Sequence, residues 1–420
     1  MIAFKSLLVS AVILAQAQTA ARVASIQVKG HRRYTAPEVA RLSGLEIGKP
    51  ATADDLTAAA NRLAATGLFT FVKYSYTTGP GQMTVTFDVD EAAWTVPVVF
   101  DNIVWLTDVE LTAALRARVP SFDGTAPINT GAADFIAREL QAILTEKQIA
   151  GTVTYMAQAE LRAGPAGSTS PARYLFIVKN PTPKVCAVHA AGASAIPEKE
   201  LVAPLAGAVG GEYSRFFVTT ASNGTLLDMY RNKGHWRAAF APPTVTLAEC
   251  DGVAVTLHVT EGVSYAWDRG EWTGNTALTA EVLNKTLGLK PGDVADASKI
   301  HSGIRDVDRA YGHLGYLDDE EDYEPRLDDQ TRRAVFAFTV KEGPQYHMGT
   351  LTFPNLRESD AAALAKKWKL KPGDVYDETY EREFAAQELY PLKTSSGARA
   401  HLEREIEKPT HVVHLRVTFK

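Results

Sequence analysis

Several residue patterns that mark particular functions are scarce or missing in this chain. Its two cysteines, Cys186 and Cys250, do not form a Cys-x-x-Cys pair, which excludes a four-ligand cysteine zinc site and a thioredoxin-like motif. No stretch is dense in Lys and Arg, and 44 basic against 49 acidic residues leave a formal charge of −5. The cationic surface that nucleic acid requires is therefore absent, and no nucleic-acid partner is expected. No segment reaches the ~18 uncharged apolar residues of a membrane helix, so no direct membrane span is expected. There is no Gly-x-Ser-x-Gly, His-Glu-x-x-His, Walker loop or Gly-x-Gly-x-x-Gly after a strand. The 10 histidines are scattered. His301 and His313 share one helical segment but stand too far apart for a ligand pair, and the acidic run Asp318–Glu324 lacks the ligand spacing and central glycine of an EF-hand. Neither cofactor nor metal is expected.

What remains is ordinary globular composition: 420 residues, 45% hydrophobic and 22% charged. That excludes a disordered, collagen-like or polytopic membrane chain. The amino terminus has a cationic start ending at Lys5, an apolar stretch Ser6–Leu14 too short to span a bilayer, and a small-x-small site at Ala15-Gln16-Ala17. Residues 1–17 read as a secretory signal peptide, with no cysteine at the cleavage site to carry a lipid.

The chain repeats itself. Leu289-Lys-Pro-Gly-Asp-Val294 recurs letter for letter as Leu370-Lys-Pro-Gly-Asp-Val375. Alternating apolar runs close at Val89, Val178, Val259, Val340 and Val417, a fixed-period signature of like units in series. Each unit reads β-α-α-β-β. In the first, Val23–Val28 alternates as a strand, Thr35-Ala-Pro-Glu38 is a capping box, and Thr52 caps a second helix ending at Gly67. Gly79-Pro-Gly81 then joins two strands as a hairpin. In the fourth, Asp296 caps a helix with Ile300, Ile304, Val307 and Tyr311 on one face, and Gly315 ends it. Ser359 and Asp377 are expected as caps in the fifth. The predicted class is α+β: a tandem array of five domains, each a three-stranded mixed sheet covered by two helices. The expected divisions are 22–92, 93–180 (the most divergent), 181–262, 263–343 and 344–420. Connectors without Gly/Ser linkers predict stiff joints. Gly164–Pro171 reads as a mobile hairpin loop, and Gly207–Gly211 as a second flexible stretch.

This order of elements, with the step Gly67, Phe69, Val72 and a Val-x-Glu ending, resembles the POTRA (polypeptide-transport-associated) domain of outer-membrane protein assembly factors and two-partner secretion transporters. The resemblance extends to Tyr230-x-x-x-Gly234-x-Trp236, to Gly315 and Tyr316, and to the turns at Pro291-Gly292 and Pro372-Gly373. In the second unit Glu146-Lys-Gln-Ile149 replaces the Gly-aromatic step. In the assembly factors a membrane barrel follows the last POTRA; here Lys420 lies on the closing strand of unit five, so action by binding rather than by membrane insertion is expected.

The resemblance further implies that the second strand of each sheet lies at an edge where an extended peptide can add as another strand. Charge or proline blunts such an edge, as in Leu317–Pro325 of unit four and at Ala241-Pro-Pro-Thr244, expected to interrupt the edge of unit three. The expected peptide-binding edge is Val72, Tyr74 and Tyr76, with Ala398 and Leu402 next. The fold also implies that the strands bearing Cys186 and Cys250 start side by side, permitting a disulfide in an exported protein. The implied function is a periplasmic, non-catalytic polypeptide-binding scaffold, associated with the outer membrane through a partner. Its partners would be outer-membrane or secreted clients, an envelope assembly complex, or both. Two readings compete with it: a structural or docking subunit that never touches clients, and an exported enzyme with a site between units.

Overall fold

The computed structural model describes residues 20–159, 171–250, 252–392 and 399–420. The signal-like segment and residues 164–170 of the expected mobile loop lie outside them. Five modules follow one another. The first comprises β1 (Ala21–Lys29), α1 (Ala36–Ser43), β2 (Pro50–Ala51), α2 (Ala53–Ala65), β3 (Phe69–Gly79) and β4 (Gln82–Glu91). The second comprises β5 (Thr95–Phe100), α3 (Asp108–Arg118), β6 (Thr125–Pro127), α4 (Thr130–Glu146), β7 (Thr152–Ala159) and β8 (Pro171–Lys179). The third has β9 (Lys184–Ala191), α5 (Glu198–Val202), α6 (Arg215–Ala221), α7 (Leu227–Arg231), β10 (Ala239–Ala248) and β11 (Gly252–Thr260). The fourth has β12 (Ala266–Thr273), α8 (Ala280–Leu287), α9 (Ala297–His313), β13 (Glu320–Asp328) and β14 (Arg333–Lys341). The fifth has β15 (His347–Thr352), α10 (Glu358–Lys367), α11 (Glu378–Phe384), β16 (Ala400–Glu407) and β17 (Val412–Phe419).

The sheet orders are β2-β1-β4-β3, β6-β5-β8-β7, β10-β11-β9, β12-β14-β13 and β15-β17-β16. Each closing strand is thus central. In four modules it runs parallel to the opening strand and antiparallel to its hairpin partner, because two helices cross between the parallel pair while a tight turn joins the other. In modules one and two the turn between the helices adds a short fourth strand. The described residues pack as two compact bodies. One holds those up to Val188 with Gly207–Val218 and those of 245–255; the other holds His189–Ala206, Thr219–Thr244 and those from Thr256 onward.

Alternation puts one face of each central strand in a core. β4 buries Met83, Val85, Phe87 and Val89, β14 buries Ala334, Phe336, Phe338 and Val340, and β17 buries Val413, Leu415 and Val417. Helical spacing supplies the other layer: Leu56, Ala59 and Leu63 from α2, and Ile300, Val307 and Tyr311 from α9. Thr35 and Thr52 make the expected capping boxes with Glu38 and Asp55. Asp296 and Asp377 cap α9 and α11.

Three local expectations are corrected. Ser359 does not cap α10, because the helix starts at Glu358 and its N-cap is Arg357. Pro242 and Pro243 do not interrupt β10, which runs through them; an edge strand loses ladder bonds on one side only, so proline is tolerated there. Gly207–Gly211 is pinned, since Val185 N–H donates to Gly211 and Gly210 N–H to Val185, at 2.9 and 2.8 Å.

The Val-x-Glu ending has a definite task. Glu91 accepts the backbone N–H groups of Arg32, Arg33 and Tyr34. Glu261 accepts those of Ser194 and Ala195, the Ser194 hydroxyl, and Tyr230 Oη at 3.0 Å. Glu342 does the same with Thr276, Ala277 and Tyr311 Oη. Each glutamate fastens the end of the closing strand to the loop after the opening one. Modules two and five use asparagine from the opposite side: Asn102 brackets the backbone of Val178, and Asn355 that of Phe419.

Candidate functional site

In each sheet the hairpin's first strand, β3, β7, β10, β13 or β16, has a neighbour on one side only among the described strands. Its outward backbone groups are available to an added strand. The side chains differ sharply. β3 carries one charge, Lys73, in eleven residues. Val72 and Tyr74 are half-buried on the helix side, where Tyr74 Oη meets Thr57 Oγ1 at 2.8 Å. Tyr76 is 45% exposed and Phe71, on the opposite face, 53%. β13 reads Glu-Glu-Asp-Tyr-Glu-Pro-Arg-Leu-Asp, and β16 carries Glu403, Arg404, Glu405 and Glu407. Leu402 turns inward against two core clusters, and Ala398 lies outside the described residues.

An edge that sequence reasoning overlooked is β7. Its residues Thr-Val-Thr-Tyr-Met-Ala-Gln-Ala contain no charge, and Met156 is 53% exposed. The signal was present as an uncharged alternating run, hidden because the module lacks the Gly-aromatic step. Gln148 takes the left-handed turn there, at φ 56°.

The remaining motif residues are structural. Phe69 is buried edge-on to Tyr34, with ring centroids 5.4 Å apart. Gly67, at φ 64°, lies where a Cβ would overlap the backbone of Ala132 in module two, and its carbonyl accepts Asn129 Nδ2 at 2.8 Å. Pro291 and Pro372 are exposed at turns whose Gly292 and Gly373 N–H groups donate to Trp267 and Met348. Trp236 Nε1 donates to Ala295 in module four at 2.6 Å, and its ring meets Phe336 and Tyr323. Tyr316 packs edge-on against Tyr311 and bridges to Gln345.

These residues build recurring joints. Tyr265 N–H donates to the Gly234 carbonyl at 2.9 Å, and Tyr346 N–H to that of Gly315 at 2.7 Å. Arg237 pairs with Asp329 across the first joint, and Lys408 with Asp318 across the second. Tyr346 Oη also donates to Asp318, and burial followed by that bond pushes the phenol up to about 12. Cys186 and Cys250 are joined by a disulfide, with Cα atoms 6.1 Å apart.

Among the described residues, no group of three or more His, Cys, Asp or Glu side chains is placed to hold a metal ion, and no helix is long and apolar enough to cross a membrane. An open polar cleft of about 460 Å³ on module four is lined by Glu271, Thr273, Asp322, Glu324 and Arg326 among others.

Tandem β-α-α-β-β modules, each with the hairpin's first strand at a sheet edge, place the chain in the POTRA-like α+β class. The POTRA family model, described as a surface antigen variable number repeat, matches residues 21–92 and 267–343. A relative from Treponema pallidum (strain Nichols), named as an outer membrane protein assembly factor, is 24% identical over 127 residues. The match covers 30% of this chain and 15% of the relative. The chain is also similar to BamA POTRA3-5 of Haemophilus influenzae, at 17% identity and TM-score 0.40, over 57% of this chain and 96% of that one. The N-terminal domain of Omp85 from Thermosynechococcus elongatus matches at 15% identity and TM-score 0.20, over 77% and 97%.

Proposed function

We propose that this chain is a periplasmic, non-catalytic scaffold that binds extended polypeptide in outer-membrane protein assembly or protein secretion, holding it by strand addition at β3. The observation that carries the reading is the edge itself: eleven residues with one charge, unpaired on one side among the described strands, with Phe71 and Tyr76 exposed. A backbone ladder supplies affinity without demanding a particular side-chain sequence, which suits clients still unfolded. β7 offers a second uncharged edge in the adjoining module. The two POTRA matches and the name of the spirochaete relative support the assignment. Under it, a signal peptide at 1–17 precedes five POTRA-like domains divided at 92, 180, 262 and 343, and a partner holds the array at the outer membrane.

The charged edges β13 and β16 favour a second role for modules four and five, as a docking or spacing segment of an envelope complex. A photo-crosslinking residue at Tyr76 separates the two readings. Scaffold binding predicts capture of a urea-diluted, purified outer-membrane barrel protein, and loss of about tenfold in affinity for Tyr76→Glu. Capture of nothing but one folded partner would sink the scaffold reading in favour of docking.

A further inference from the structure

The disulfide occupies a position that the other modules treat differently. In four modules the glycine between the helices donates its N–H to one buried residue of the opening strand. The pairs are Gly48 with Val23, Gly210 with Val185, Gly292 with Trp267 and Gly373 with Met348, all at 2.7 or 2.8 Å. These bonds align the strands, and the next residue is Ala24, Cys186, Asp268 or Gly349. In modules one, four and five the opening strand carries one extra residue here relative to the closing strand. Such a bulge leaves a gap in the ladder.

Each of those modules ties the bulge to its closing strand without a covalent bond. Ser25 Oγ donates to Thr84 Oγ1 at 3.1 Å. Arg333 donates to Asp268 at 3.0 Å. Thr350 meets His414 Nδ1 through its N–H at 3.1 Å and its hydroxyl at 2.9 Å. In module three the residue after Val185, Cys186, is instead bonded to Cys250, two residues ahead of β11. On the edge strand of this module Pro242 and Pro243 have no N–H to donate, and α5 lacks a side-chain cap. Cys250 is exposed and Cys186 half-buried.

We propose that the Cys186–Cys250 bond is a reducible clasp on module three, open to a dithiol from solvent and holding a strand junction that modules one, four and five hold by hydrogen bonds or charge. A reductant thiolate attacks Cys250 Sγ; the Cys186–Cys250 bond breaks as a mixed disulfide forms, and Cys186 leaves as a thiolate that takes a proton from water. The reductant's second thiolate then displaces Cys250, so the dithiol is oxidised to a disulfide and the protein gains two thiols. Susceptibility of this kind follows exposure of the attacked sulfur. The proposal is independent of polypeptide binding.

The full chain, purified oxidised, is treated with dithiothreitol without denaturant and followed by thiol titration and hydrogen exchange. Both thiols should appear under native conditions. Amide exchange should rise about tenfold or more in residues 184–191 and 245–257, as for a local opening, and stay unchanged in the other modules. The double variant Cys186→Ser, Cys250→Ser should show that pattern without reductant; if it fails to fold, the reduced wild-type chain still carries the test. Reduction only in denaturant, unchanged exchange after reduction, or acceleration spread over all modules would each overturn the clasp.

Discussion

Glu91, Glu261 and Glu342 show how one residue closes a module. Burial disfavours the charged form of Glu261, but the Ser194 hydroxyl and N–H, the Ala195 N–H and the Tyr230 hydroxyl outweigh it and pull the carboxyl down to about 2. The folded state therefore holds this proton more weakly than the unfolded one. The stabilisation is full above the ordinary glutamate value of 4.5 and drains as pH falls towards about 2. Glu261→Gln should cost about 1–3 kcal/mol near neutral pH, because charge-assisted bonds become neutral ones. The gap from wild type should close on acidification, as read by hydrogen exchange of residues 192–196. An equal gap at both pH values would assign the loss to packing. The Val-x-Glu ending was legible in the sequence as a family feature. Its partners were not, because they lie 31 to 67 positions away, beyond any local pattern, and nothing local links it to Asn102 and Asn355, which do the same work from the other strand.

At the scale of elements, strand and helix identities followed from period and caps, while details set by tertiary contact did not. Ser359 has the chemistry of a cap but sits inside the first turn. β13 shows the same limit. Its acidic run reads as a solvated edge, yet Asp319 and Glu321 turn towards Asp308 of α9 and Glu378 of α11. Burial foremost pushes both carboxyls upward; the charge of Asp319 adds to it for Glu321, while for Asp319 the charge of Asp308 adds to it and the hydrogen bond from Glu321 works against it. The sign is opposite to that of Glu261: the folded state favours their protonated forms, so the penalty grows as pH rises through and above the usual carboxylate range. Glu321→Gln should raise the melting transition of this region by about 2–4 °C near pH ~8 and leave it unchanged near pH ~4. A scan showing equal gains at both values would refute the titration account.

For the whole molecule, the contacts across the joints were not legible in the repeat, since residues meeting across a joint obey no sequence period. Gly315 shows why its position is restricted. It holds φ 81°, and an added Cβ would fall 2.7 Å from the Tyr346 carbonyl oxygen and 3.0 Å from that of Tyr376. Gly315→Ala should cost about 1–3 kcal/mol in backbone strain alone and speed proteolysis between modules four and five, with cleavage in module one unchanged. Modules one and two are bound more closely still. Val23 through Val178 contribute to one continuous buried cluster, and Glu38, having capped its own helix, also accepts the N–H and hydroxyl of Ser121. Swapping or deleting module one alone would cut through a hydrophobic interior and take away the carboxylate that accepts from Ser121. At this end of the chain the two modules share one interior, so a truncation that falls between them should leave a less stable protein than one that keeps the pair whole.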